Sequence, residues 1–400
     1  MESQGRIVKI KGKVQHYQWG GSGYIPALLG INNENLRPFA EYWLGAHVNA
    51  PAVTEDQIAL DQLLADAPVH LGPGVEKQFG RLPYLLKILD VKDMLSIQVH
   101  PSKAAAVEAF AKENASGKSL NAPDRNYKDD NHKPELMMAL GDFWLLHGFR
   151  APALLMETLK AEPALAFLAP LFEKQGYKGL YEYVMTMPQQ EVNRILQPLL
   201  DRILPAYHQG QLDKSTPAFW AARAAITYNS GVDIDRGIFS IYLFNIVQLK
   251  RGEAVFQGAG ILHAYLEGQN VEIMANSDNV LRGGLTPKHI DVEELMKHVL
   301  FEPVIPDIIR GRAENIHEKV YPTPAPDFEL RAIHLAAGDD YQVQTHTADI
   351  FIVLDGRLKV AQQSTQLELS KGESFLATSG AAFWLSTAEG AEVYRATVPV

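Results

Sequence analysis

Cysteine is absent from the 400-residue chain. That excludes disulfides and thiolate metal sites, and leaves imidazole, carboxylate and amide oxygen as donors for any cation. Long apolar runs are also missing: none approaches the roughly 18 residues of a membrane-spanning helix. The opening stretch MESQGRIVKIKGKV lacks the apolar centre of a secretory signal, so a cytoplasmic location is expected. Positive charge is in deficit, with a formal net charge of -10, which argues against nucleic acid as the main partner. A small anionic substrate remains compatible, because it needs only a local cluster of cations.

The length exceeds what one core organises well, so two or three domains are expected. Residues 1–150 read as mixed with prominent strands: VQHYQWG, AEYWLGAH, YLLKILD and LSIQVHP. From 151 to 229 apolar residues fall three and four apart, with prolines at segment starts, as in ALLMETLKAEPALAFLAPLF and QQEVNRILQPLLDRILPAY. That spacing predicts a helical domain of about five helices, with a further helix over DRGIFSIYLF. Strand signals return at NIVQLKRGEAVFQGAGILHAYLEG and dominate after residue 317, in short runs split by Gly, Asp and Ser. The fold class expected is mainly β with an α-helical insertion. Residues 1–150 and 230–317 form one β domain, 151–229 the helical domain, and 318–400 a second β domain.

One repeat is informative. Gly252 is followed by EAVFQ, then Gly258-Ala259-Gly260, two residues and His263; Gly372 is followed by ESFLA, then Thr378-Ser379-Gly380, two residues and Phe383. This resembles the second motif of the cupin family, whose His binds metal, although the family's Pro is missing from both copies. The resemblance implies two cupin-like jelly rolls, the first with a metal site and the second metal-free. In the second, Phe383 stands at the metal position and His346 is the one histidine left nearby.

Three polar stretches carry the chemistry. In LSIQVHP, Gln98 and His100 are two apart, so on a strand they share a face about 6.6 Å apart. A hydrogen-bonded strand-end histidine is the plainer interpretation. In DDNHKPE, Pro134 keeps Lys133 extended, so Lys133 and Glu135 share a face and His132 points away. In HAYLEGQNVEIMANSDNVLRGGLTPK, alternation puts Glu272 and Met274 on one face, and SDNVLRGGLTPK sets Asp278, Arg282 and Lys288 among glycines, a loop suited to an anion.

Together these stretches resemble the type I mannose-6-phosphate isomerases. The resemblance lies in YQWGG, AEYWLGAH, LLKILD, LSIQVHPSK, DNHKPELMMAL, GEAVFQGAGILHAYLEG and VEIMANSDNVLRGGLTPKH, between Tyr17 and His289. It implies one zinc per chain held by Gln98, His100, Glu135 and His263, a donor set that also accommodates iron or manganese. It implies interconversion of mannose 6-phosphate and fructose 6-phosphate through a cis-enediol, with Arg282 in the active site. Lys133 and Glu272 are the leading proton carriers, with Asp278 and His132 behind them. Lys87, Lys103 and Lys288 are candidate phosphate cations, Ser96 a candidate hydroxyl donor, and Trp19 and Tyr265 candidate walls against the sugar. A phosphorylated sugar is the expected partner, with no nucleic acid or membrane, and a monomer is favoured. Two other outcomes are compatible with a cupin: a metal-dependent oxygenase, or a sugar-sensing protein without catalysis.

Overall fold

The structure, a computed structural model, describes residues 5–399. Its strands form one 11-stranded and one 10-stranded sheet. The smaller sheet gathers Glu41–Gly45, Tyr84–Val91, Glu135–Ala139, Phe143–Phe149, Ala254–Gln257 and His263–Ala275, with the short pairs Gln98–Val99 and Leu281–Arg282. The larger holds the C-terminal strands, among them Glu329–Leu335, Asp349–Gln362, Ser374–Ala377 and Ala391–Thr397.

The strand Ile7–Lys11 belongs to this larger sheet: it pairs with Ser374–Ala377, whereas Lys13–Gln15 pairs with Glu41–Gly45 in the other. The chain changes sheets at Gly12. A Cβ there would lie 2.2 Å from the Trp43 carbonyl oxygen, so only glycine fits the crossing. From Val8 to Gln15, VKIKGKVQ, polar residues alternate with apolar ones or glycine straight through that crossing, which is why the switch does not show in the sequence.

The strand Tyr84–Val91 is buried on both faces. Leu86 and Ile88 pack with Val271, Ile273, Leu136 and Met138 against Leu330, Ile350, Ile352 and Leu376 of the larger sheet, forming the core shared by the two sheets. Leu85, Lys87 and Leu89 face the opposite way, so this strand reads as an apolar run interrupted by Lys87 and Asp90.

The helices Pro152–Ala161, Leu168–Thr186, Gln189–His208, Pro217–Tyr228 and Gly237–Leu243 make a layer of their own. Leu168–Thr186 is broken at Gly176, whose φ of 64° is left-handed. The layer buries Leu180, Tyr181, Leu196, Leu199, Trp220 and Phe239 against Ile97, Val99, Leu146, Phe149, Ala264 and Leu281 of the smaller sheet. The strands that carry Gln98 and His263 are thus backed by helices. Regular strand in LSIQVHP covers only Gln98–Val99. Leu95, like Trp19, packs against the cluster that holds Tyr265, while Ile97 and Val99 face the helices. Among the described residues no helix is long and apolar enough to cross a membrane.

Candidate metal centre and active site

Ladder partners on antiparallel strands share a face, and the smaller sheet's inner face is polar because of its registers. Lys87 opposes Glu272, which opposes Met137; one pair along, Leu85 opposes Met274, which opposes Glu135, which opposes Gln257. His263 opens its strand between Gln98 on one side and His147 on the other, and Gln98 also opposes Arg282.

His100, Glu135 and His263 converge so that one ligand atom from each lies within 4.8 Å of the others. His100 Nε2 is 3.5 Å from Glu135 Oε1, and His263 Nε2 is 3.2 Å from Glu135 Oε2. Both rings donate their other nitrogen to backbone: His100 Nδ1 to the Asn279 carbonyl and His263 Nδ1 to the Ile261 carbonyl, each at 2.9 Å. Those bonds set the tautomer, leaving the Nε2 lone pairs turned inward. His100 Nε2, His263 Nε2 and Glu135 Oε2 are buried with no hydrogen-bond partner among the described residues. Buried polar atoms rarely stay unpaired. Two imidazole lone pairs and a carboxylate oxygen aimed at one point fit a divalent cation such as zinc.

The electrostatics agree. Burial lowers His100 to about 4, so the ring is neutral and free to ligate at neutral pH. Burial alone would raise Glu135, but Lys133 and His100 outweigh it and hold the carboxyl well below its usual range. Lys133 Nζ lies 2.9 Å from Glu135 Oε1.

A second polar group adjoins this one. Lys87 Nζ donates to Glu272 Oε1 at 2.9 Å, and the Tyr265 hydroxyl donates to Glu272 Oε2 at 2.8 Å. Lys87 also lies 3.7 Å from Glu41, and its Nζ sits 5.2 Å above the Trp43 ring. Burial raises Glu272, with Lys87 opposing and Glu135 adding to the rise.

The remaining predicted residues separate. His132 points away as its alternation implies, with Nε2 2.9 Å from Asp327. Asp278 pairs with His47 at 3.3 Å and accepts from Asn49 at 3.2 Å. Lys103 is tied to Asn131 Oδ1 at 2.9 Å and to the Asp130 carbonyl at 3.1 Å. Trp19 stacks on Tyr17 with ring centres 5.9 Å apart. Ser96 and Gln98 are half-buried. Arg282 is half-buried, with no hydrogen bond or ion pair to another side chain among the described residues. Burial, Arg282 and Lys128 together lower Lys288, the mark of cations gathered without a neutralising acid.

Asp129 and Asn279 were not singled out from sequence. Asp129 accepts from Ser277 Oγ at 2.8 Å, Asp278 N at 2.7 Å and Asn131 N at 2.9 Å. Asn279 Oδ1 accepts from Lys128 N at 2.7 Å, and its carbonyl holds His100. They lock the Lys133 and Arg282 loops together. The signal available was the density of short polar side chains in DDNHKPE and NSDN, which suits turns as well as locks.

Comparison with known proteins agrees with this geometry. Residues 7–152 match the type I phosphomannose isomerase catalytic domain. The mannose-6-phosphate isomerase of Escherichia coli is 36% identical over 92% of this chain and 93% of that protein. The chain belongs to the type I phosphomannose isomerase family. A second family member, from Rattus norvegicus, is 32% identical over 92% of each chain. Among solved phosphomannose isomerases from Salmonella typhimurium, the apo form is 32% identical, with a TM-score of 0.88 over 98% of this chain and 99% of that one. Another, bound to fructose 6-phosphate and zinc, is 31% identical, with a TM-score of 0.86 over 98% of this chain and all of that one.

Proposed function

We propose that this chain is a zinc-dependent aldose–ketose isomerase that interconverts mannose 6-phosphate and fructose 6-phosphate through a cis-enediol. The observation that carries this is the trio of buried, unpartnered atoms of His100, His263 and Glu135, set beside a buried carboxylate and unneutralised cations. His100, His263 and Glu135 hold the ion, with Gln98, the ladder neighbour of His263, as the fourth donor. When bound, zinc supplies positive charge where the substrate oxygens become anionic.

The protein's own groups do the rest. Glu272 takes the proton from one of the two reacting carbons and returns it to the other. Its raised pKa suits a base working near neutrality. Lys87 and Tyr265 each bind one of its oxygens and fix its direction. Lys133, beside Glu135, donates to the sugar oxygens as they exchange protons. Asp278 and His132 are committed to His47 and Asp327 and take no direct part. Arg282 and Lys288 hold the phosphate, with Ser96 as a hydroxyl donor. Lys103 positions its loop, and Trp19 and Tyr265 form apolar walls.

In architecture we read a metal-binding cupin domain over residues 12–150 and 230–317, a helical layer over 151–229 joined by the helix Gly237–Leu243, and a metal-free cupin-like unit of 318–400 completed by Ile7–Lys11. A cytoplasmic monomer fits this reading. The test is direct: purified protein binds one equivalent of zinc, converts mannose 6-phosphate to fructose 6-phosphate, and stops when the ion is chelated. Full zinc occupancy without turnover refutes the reading.

A further inference from the structure

His147 and Gln257, on the strands Phe143–Phe149 and Ala254–Gln257, are buried polar residues that the isomerase chemistry leaves unused. They meet across 110 residues of sequence, with His147 Nδ1 2.8 Å from Gln257 Oε1. The ring N–H donates and the amide oxygen accepts. Each is the ladder partner of a metal-site residue: His147 of His263, and Gln257 of Glu135. Both therefore face the same interior as those residues.

Gln257 Nε2 is fully buried and has no partner among the described residues. His100 Nε2, His263 Nε2 and Glu135 Oε2 are in the same condition. Three of these four atoms are lone-pair donors suited to a cation. The fourth is an amide N–H, which cannot ligate a cation and can only donate to an oxygen. Its ladder neighbour Glu135 offers one. An isolated amide can turn either end inward. Here the oxygen end lies against the His147 ring, which leaves the N–H end turned away from it and without a partner.

We propose that Gln257, oriented by His147, is a positioning residue of the metal centre. Its N–H, unpartnered in this structure, donates to the Glu135 carboxylate when the ion is held, and so fixes which oxygen that carboxylate turns to the ion. The proposal rests on the zinc assignment but not on the isomerase reaction. Supporting partners of this kind typically change metal affinity by roughly 10- to 100-fold.

The test uses metal-stripped protein without substrate, and reads zinc affinity by competition with a chromophoric chelator and the visible spectrum after cobalt loading. The double variant His147→Leu/Gln257→Leu replaces both partners with apolar groups, so neither is left bare. Its metal-free unfolding midpoint should match or exceed that of the native chain, while zinc binds roughly 10- to 100-fold more weakly and the cobalt bands shift. If the double variant fails to fold, Gln257→Met, which keeps length and apolar volume, gives the same comparison. Native zinc affinity with an unchanged cobalt spectrum overturns the proposal and makes the pair core filler. A native chain that binds no zinc overturns it together with the zinc assignment. A native chain that binds zinc but does not turn over the sugar phosphate sinks the isomerase reading alone.

Discussion

The two copies of the glycine repeat share a backbone and differ in what they enclose. Gly252 and Gly372 have φ of 82° and 85°, and Gly260 and Gly380 have φ of 83° and 77°. Each pair brackets a short strand, Ala254–Gln257 or Ser374–Ala377. Past the second glycine the first copy sets His263 among His100, Glu135 and His147. The second sets Phe383 against Phe351 and Phe375, with ring centres 5.7 Å from each. His346 is exposed outside that cluster. The glycines serve the turn; the residue three positions past each second one decides whether the interior is a charged site or a packed core.

The largest effect should come from breaking the first copy. His263→Ala removes one of two imidazoles and leaves Glu135 facing an empty donor position. Bound zinc, measured by elemental analysis, should fall below a tenth of an equivalent, and turnover by at least about a thousandfold. Full zinc content in this variant would mean that the backbone the two copies share, not the histidine, makes the site.

Next is Glu272→Gln, which keeps shape and should keep zinc but removes the proposed proton acceptor. Turnover should drop roughly 100- to 10,000-fold, and exchange of the substrate's C2 proton with solvent should cease. Undiminished exchange with full zinc would pass the role to Lys133.

The second copy tests the converse. Phe383→Ala opens a cavity among three rings and should cost about 3–5 kcal/mol, read as a lower urea midpoint, with zinc content unchanged. Phe383→His should not recruit a second zinc, because the buried carboxylate near that cluster, Asp349, is already held by Arg395, Thr347 and Thr397. A second equivalent of bound metal in that variant would erase the distinction between the copies.

What could be read in advance follows from the range of each interaction. Gln98 with His100, and Lys133 with Glu135, lie two residues apart, so strand alternation alone puts each pair on one face. His132 turned outward for the same reason. The helical layer announced itself through its apolar spacing. The pairings of Lys87 with Glu272 and of His147 with Gln257 depend on registers between strands more than a hundred residues apart, and no local pattern records a register. Lys87 therefore looked like a free cation, when Glu272 and Glu41 surround it. That Ile7–Lys11 pairs in the larger sheet is hidden for a related reason: its alternation suits either sheet.

The smallest predicted effect separates the two interiors by acid. Burial lowers both His100 and His147 from the ordinary 6.5 to about 4. Between those values the unfolded chain binds protons that the folded rings refuse. Stability of the metal-free protein is therefore full above about pH 6.5 and falls as pH drops toward 4, by up to about 3 kcal/mol per ring. Phe383 and the rings it meets, Phe351 and Phe375, carry no titratable group, so loss of Phe383 leaves this window alone. Urea midpoints between pH 7 and pH 4 should decline for the native chain. The slope should be about half as steep in His147→Leu/Gln257→Leu and unchanged in Phe383→Ala. Equal slopes in the native chain and the double variant would show that His147 titrates normally, and that the polar interior is wetter than its burial implies.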